Sequence, residues 1–145
     1  MPTVSFYLLP SDSAHERCLF GCKLIEKSYR SGCFCYVLTD TAAQSRLMDE
    51  LLWTFRAGSF IPHQLYTGEL PVVENIILIG STNPPGAWQK NIVNLSTQCP
   101  EDFQQVERIL EILDGSEDTK AAGRQRYRRY QQAGIEPNTH KINPN

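Results

Sequence analysis

The sequence predicts an α/β fold, one domain in which a mainly parallel sheet is sandwiched between helices. Three observations predict it. Short, continuous apolar runs of the kind that fill strands buried on both faces alternate with longer stretches of 3–4 spacing. Cap or turn residues separate the two kinds of segment. A chain of 145 residues, 41% hydrophobic and 21% charged, can bury one core of ordinary domain size.

The elements follow in order. Residues 4–9 are a short apolar run closed by Pro10, a first strand. Ser11, Asp12 and Ser13 offer N-caps to a helix in which Cys18, Cys22, Ile25 and Tyr29 form one stripe. Lys23, Glu26, Lys27 and Arg30 take its other side, and Ser31-Gly32 stops it. Residues 33–38 read as a second buried strand. Thr39-Asp40-Thr41 caps a second helix over 42–56, with Leu47, Met48, Leu51, Leu52 and Phe55 as its core face. Residues 58–66 are loop or short strand, and Pro62 argues against a central position. Strands are expected at 76–79 and 92–95. Pro100-Glu101-Asp102 reads as the start of a third helix with Phe103, Val106, Ile109, Leu110 and Leu113 as its stripe. Asp114-Gly115-Ser116 breaks it. A fourth helix covers 117–132 and ends before Gly134. Residues 1–135 form the domain, and 136–145 are a polar tail with two prolines, ordered only by docking.

This order resembles a Rossmann-like, nucleotide-binding sheet. The first strand, however, runs into Pro10-Ser11-Asp12-Ser13, with no glycine to let backbone approach a phosphate. Gly80-Ser81-Thr82-Asn83 is the only other candidate loop, and it reads as a plain turn. Fourteen Lys and Arg against sixteen Asp and Glu give a net charge of −2, which disfavours binding nucleic acid over the whole surface. No apolar run is long enough to span a membrane, and the first residues lack the cationic start of a secretory signal. A cytoplasmic protein is expected. Five cysteines without a C-x-x-C pair fit buried thiols better than a disulfide frame or a metal cluster with His15. No catalytic motif and no cofactor or metal site is read. A small α/β enzyme using His63 or a cysteine stays as an alternative, although His63 has no acidic partner legible in the sequence.

Charge distribution is more informative. Residues 101–118 hold seven acids and one base, Arg108, whereas residues 120–129 hold five bases and no acid. On the fourth helix Lys120, Arg124, Tyr127 and Arg128 fall at i, i+4, i+7 and i+8, on one side. Guanidinium forks suit carboxylates, and the tyrosine offers a flat apolar wall. The same face could meet phosphates, so a nucleic-acid-binding module is the second alternative. Trp53 lies seven residues after Arg46, four after Asp49 and three after Glu50, on the polar side of its helix. Phe60 follows in the loop Gly58-Ser59-Phe60-Ile61-Pro62-His63. An exposed Trp with a nearby Phe suits a protein partner.

Several segments, in order, resemble the chi subunit family of bacterial DNA polymerase III holoenzyme. They are Phe6-Tyr7-Leu8-Leu9, Arg30-Ser31-Gly32, Leu52-Trp53, Ser59-Phe60-Ile61-Pro62-His63, Arg126-Tyr127-Arg128-Arg129-Tyr130 and Ala133-Gly134. The resemblance implies a non-catalytic accessory subunit with a nucleotide-binding-like fold and no known nucleotide. It implies a heterodimer with the psi subunit, and through psi a tether to the clamp-loader complex. It also implies a grip on the acidic C-terminal tail of single-stranded DNA-binding protein. Carried over residue by residue, the tail-binding set is Lys120, Arg124, Tyr127, Arg128, Leu113 and Thr139, and the psi-facing pair is Trp53 and Phe60. Where psi is lacking, a helicase-like protein is the alternative partner for that second surface. Arg128 stands where the family often has Lys, and Leu113 where a smaller β-branched residue occurs.

Overall fold

Local signals set the element ends before packing does. Strand β1 (Thr3–Leu8) leads to α1 (Ala14–Arg30), which starts where Ser13 accepts a hydrogen bond from the Glu16 N–H at 3.2 Å. It stops at Gly32, whose φ of 85° suits a residue without Cβ. Strand β2 (Tyr36–Leu38) precedes α2 (Ala42–Thr54), capped by Thr41 on the Gln44 N–H at 3.1 Å. Next come β3 (His63–Leu65), β4 (Ile77–Gly80), β5 (Asn91–Asn94) and β6 (Arg108–Leu113). Helix α3 (Glu117–Gln132) and β7 (Asn138–Lys141) follow. In the computed structural model, which describes residues 2–143, the strands form one parallel sheet in the order β3-β4-β2-β5-β6-β1-β7.

Two cores lie on its two faces. Cys18, Cys22 and Ile25 of α1 and Met48 and Leu52 of α2 pack on Val37, Ile77, Ile79, Val93 and Leu110. On the other face Tyr130 of α3 joins Val4, Phe6, Tyr36, Leu78, Ile92 and Ile109. Trp88 and Phe103, from short 3-10 turns at Gly86–Gln89 and Phe103–Gln105, complete that layer. No described helix is long and apolar enough to cross a membrane.

The structure corrects the expected third helix. Asp102 takes a left-handed φ of 51°, the chain makes one 3-10 turn, and residues 108–113 enter the sheet as β6. Ile109 and Leu113 face the α3 layer, while Leu110 and Ile112 face the α1–α2 layer. A parallel strand between β5 and β1 is covered on both sides, so its apolar positions lose the alternation that marks a half-exposed strand. Leu47 is a second correction: it is 43% exposed, because the buried face of α2 narrows to Ser45, Met48 and Leu52. Within the segment 136–145 expected as a tail, Asn138–Lys141 pairs with β1 as the edge strand β7, and 144–145 lie outside the described residues. At the opposite edge Pro62 immediately precedes the short β3.

Two charged clusters fix the helices. Glu111 of β6 is fully buried. It accepts from Arg126 Nε at 3.0 Å, from the Tyr130 hydroxyl at 2.6 Å and from Asn94 Nδ2 at 3.2 Å. Arg126 also donates to the Thr97 carbonyl at 3.1 Å. Burial pushes the Glu111 carboxyl above the usual carboxylate range, with Arg126 and the two neutral donors opposing that shift. Burial first, and then Glu111, likewise push Tyr130 up. On the other face Glu26 of α1 accepts from Ser59 and Arg56 in the segment after α2, and pairs with Arg30 at 3.5 Å. The Ser59 hydroxyl, ahead of the two arginines, holds the Glu26 carboxyl below its usual range.

Replacing Arg126 with Met, which strands Glu111 in the core, is expected to cost about 3–5 kcal/mol in urea unfolding. The double change Glu111→Gln with Arg126→Met should recover part of that loss, because Gln stays neutral and still accepts. Glu26→Gln is expected to cost about 1 kcal/mol at neutral pH, since its arginine partners are exposed to water. Glu26 titrates lower in the folded chain than in the unfolded one. Its contribution is therefore complete above the ordinary value of 4.5 and lost as pH falls through the lower folded value. The gap between wild type and Glu26→Gln in unfolding midpoint should close on acidification.

Candidate functional site

The connection from β6 to β7 runs through α3 and crosses β1, the strand between them, which α3 touches through Tyr127 and Phe6. Gly123, Arg126 and Tyr130 form the buried side of α3. Any Cβ at Gly123 would run into the Leu113 side chain, so glycine is what lets the helix lie this close to β6. With Arg126 and Tyr130 tied to Glu111 on the β6 side, Tyr127 turns toward β1 and packs on Phe6, ring centroids 5.2 Å apart. Lys120, Arg124 and Arg128 lie beyond Tyr127 on the wheel, facing solvent and the β7 side.

The sheet supplies the other wall. Phe6 is in register with Glu111 on one side and Thr139 on the other. Side chains in register across parallel strands share a face, so exposed Thr139 stands beside Phe6 below Tyr127. The structure thus brings five of the six expected residues to one shallow groove between α3 and β7: Lys120, Arg124, Tyr127, Arg128 and Thr139. The sixth, Leu113, is 5% exposed and lies under Gly123, as floor rather than wall. Lys120 is paired with Glu117 at 3.4 Å, which leaves Arg124 and Arg128 as the less encumbered cations. Arg129 points elsewhere, over the Phe103 ring at 5.9 Å. Arg126, one of the five bases in the run, is withdrawn into the core. Phe6 is 2% exposed and carries Tyr127 from below rather than lining the groove; only the register of β1 with β7 places it beside Thr139.

The second surface lies at the other end of the sheet. Trp53 is 57% exposed on α2 and Phe60 82% exposed on the loop before β3. His63 ties the two together. Its ring nitrogens lie 2.6 Å from the Ile61 carbonyl and 3.0 Å from the Asp49 carbonyl, with Asp49 Oδ1 at 3.3 Å. The Trp53 ring rests on it, centroids 4.5 Å apart. Asp49 is the acidic partner that sequence spacing could not show. Leu70, Val72 and Val73, on the connection from β3 to β4, are also exposed. Six strand spacings of about 4.8 Å put roughly 29 Å between the two sheet edges.

The chemistry available elsewhere is limited. The His63 side chain has no exposed surface. Burial pushes the thiols of Cys22 and Cys35 up to about 12 and raises those of Cys18 and Cys99, away from nucleophilic thiolates. Among the described residues no group of three or more His, Cys, Asp or Glu is placed to hold a metal ion. At the carboxyl end of β4 a Cβ on Gly80 would strike the Tyr36 hydroxyl, which donates to the Thr82 carbonyl at 2.7 Å. Tyr36 thus braces the Gly80-Ser81-Thr82-Asn83 turn from inside the sheet.

The family model for "DNA polymerase III chi subunit, HolC" matches residues 1–138. Curated relatives include the DNA polymerase III subunit chi of Pseudomonas aeruginosa, 30% identical over 142 residues that cover 98% of both chains. That of Escherichia coli strain K12 is 27% identical, covering 96% of this chain and 97% of the relative. That of Haemophilus influenzae is 23% identical, covering 97% of both. These matches, which run over nearly the whole chain, lead to one assignment: the chain belongs to the chi subunit family of DNA polymerase III, an accessory and not a catalytic subunit.

Proposed function

We propose that this subunit bridges the polymerase machinery to coated lagging-strand template in the bacterial cytoplasm. One partner is the psi subunit, met at Trp53 and Phe60, which tethers it to the clamp-loader complex. The other is the acidic C-terminal tail of single-stranded DNA-binding protein, held in the α3–β7 groove. The observation that carries the reading is the groove: cations and an aromatic wall over an apolar floor, on a molecule of net charge −2.

The proposed mechanism has two parts. Arg124 and Arg128, with Lys120, attract and pair with the carboxylates of the tail. Tyr127 and Thr139 take the aromatic residue with which such a tail would end, and the buried Phe6 and Leu113 support them from below. Ordering a disordered tail costs entropy, so affinity is modest. The pairs are exposed, so salt weakens them on the scale of the Debye length, ~10 Å at 0.1 M. Separation of the two surfaces along the sheet lets both partners bind at once.

Fluorescence anisotropy with a labelled peptide copying the tail of the same organism's single-stranded DNA-binding protein tests this. Wild type should bind saturably and more weakly as salt rises, and Arg128→Glu should lose binding with an unchanged unfolding midpoint. Binding retained by the folded mutant at low salt would reject the site. Bare single-stranded DNA should give no comparable titration. Trp53→Ala should release psi in a pull-down and leave peptide affinity unchanged; loss of both together would point to misfolding.

A further inference from the structure

We propose that Lys141 is the strand-side cation of the groove, meeting carboxylates of an acidic peptide across from Arg124. The proposal rests on the reading of the α3–β7 groove given above and adds to it a residue on the opposite wall.

Register carries the argument. Leu113, Leu8 and Lys141 stand side by side across β6, β1 and β7. Leu8 and Leu113 belong to the core on the α3 face, so Lys141 projects to that face too, as Thr139 does two residues earlier. The step from Thr139 to Lys141 is about 6.6 Å along the strand. It runs toward the first half of α3, because Gly123 rests on Leu113 in the same row. Lys120 and Arg124 flank that part of the helix. Lys141 is exposed and, among the described residues, forms no ion pair. Its backbone is fixed: pairing continues past it, with the Ile142 N–H donating to the Leu8 carbonyl at 2.9 Å. The acids on the first turn of α3 are Glu117, already paired with Lys120, and Asp118.

The physical need for a second wall follows from the ligand. An extended peptide points successive side chains to opposite sides. Consecutive acidic residues lying in the groove therefore direct half their carboxylates away from α3. Helix cations alone would leave those unmatched, and Lys141 stands on the side they face.

The test is a double-mutant cycle by fluorescence anisotropy at low salt. The proteins are wild type, Lys141→Gln, Lys141→Glu and Arg128→Glu. The probes are the labelled tail peptide and a version with its acids upstream of the terminal residue replaced by Asn. Lys141→Gln is expected to weaken the acidic peptide about two- to fivefold, and Lys141→Glu more. The neutralised peptide should not distinguish either from wild type. Unfolding midpoints check that β7 stays docked. Unchanged affinity in both Lys141 variants, with binding lost in Arg128→Glu, would overturn the role of Lys141 and keep the groove. Equal loss with both peptides would also overturn it, since the effect would not be electrostatic. Unchanged affinity in Arg128→Glu as well would overturn the groove itself.

Discussion

Glu111 and its guanidinium partner Arg126 are the contact on which the rest of the helix layer depends. A carboxylate in the middle of a sheet is tolerable only if its lone pairs are met, and three donors from β5 and α3 meet them. Two of those donors, on Arg126 and Tyr130, belong to α3 and lie one turn apart. They fix both the rotation of the helix and its height above β6. A rotation of even a third of a turn would bury Arg124 or expose Glu111. The outward cations are aimed by the inward pair, and the same helix spends one arginine on its own anchoring while presenting others to solvent.

The clamp around Glu26 plays the corresponding part on the opposite layer. It joins α1 to the segment that leaves α2, and that segment carries Phe60. His63 then fastens the far side of the same loop to α2 beneath Trp53. Each exposed aromatic thus stands on a buried polar contact. That is how a loop can offer apolar surface to a partner without collapsing onto its own protein.

What was legible in the sequence had a local cause. The i, i+4, i+7, i+8 pattern of α3 survives because one side of that helix stays in water. Trp53 was legible for the same reason. The β6 segment was not, because burial on both faces removes period-2 alternation, and Phe103, Val106, Ile109 and Leu113 then mimic a helical stripe. Thr139 and Phe6 meet only through the pairing of β7 with β1, and Asp49 meets His63 only because α2 packs against β3. Such contacts join parts of the chain whose spacing carries no signal. Leu47 shows the limit in the other direction: an apolar residue in phase with a helix face can still lie beyond the edge of what covers it.

The place of β1 in the sheet has a consequence for how the molecule is made. The first strand lies between the last two, with Thr3 beside Arg108 and Ser5 beside Asn138. During synthesis it finds neither neighbour until most of the chain has emerged, so its pairing waits on contacts of very long sequence separation. The groove is assembled from those same late pieces, β6, α3 and β7. A nascent or partly unfolded chain consequently has no groove to offer, and any ligand that needed it would bind only once these distant segments had met.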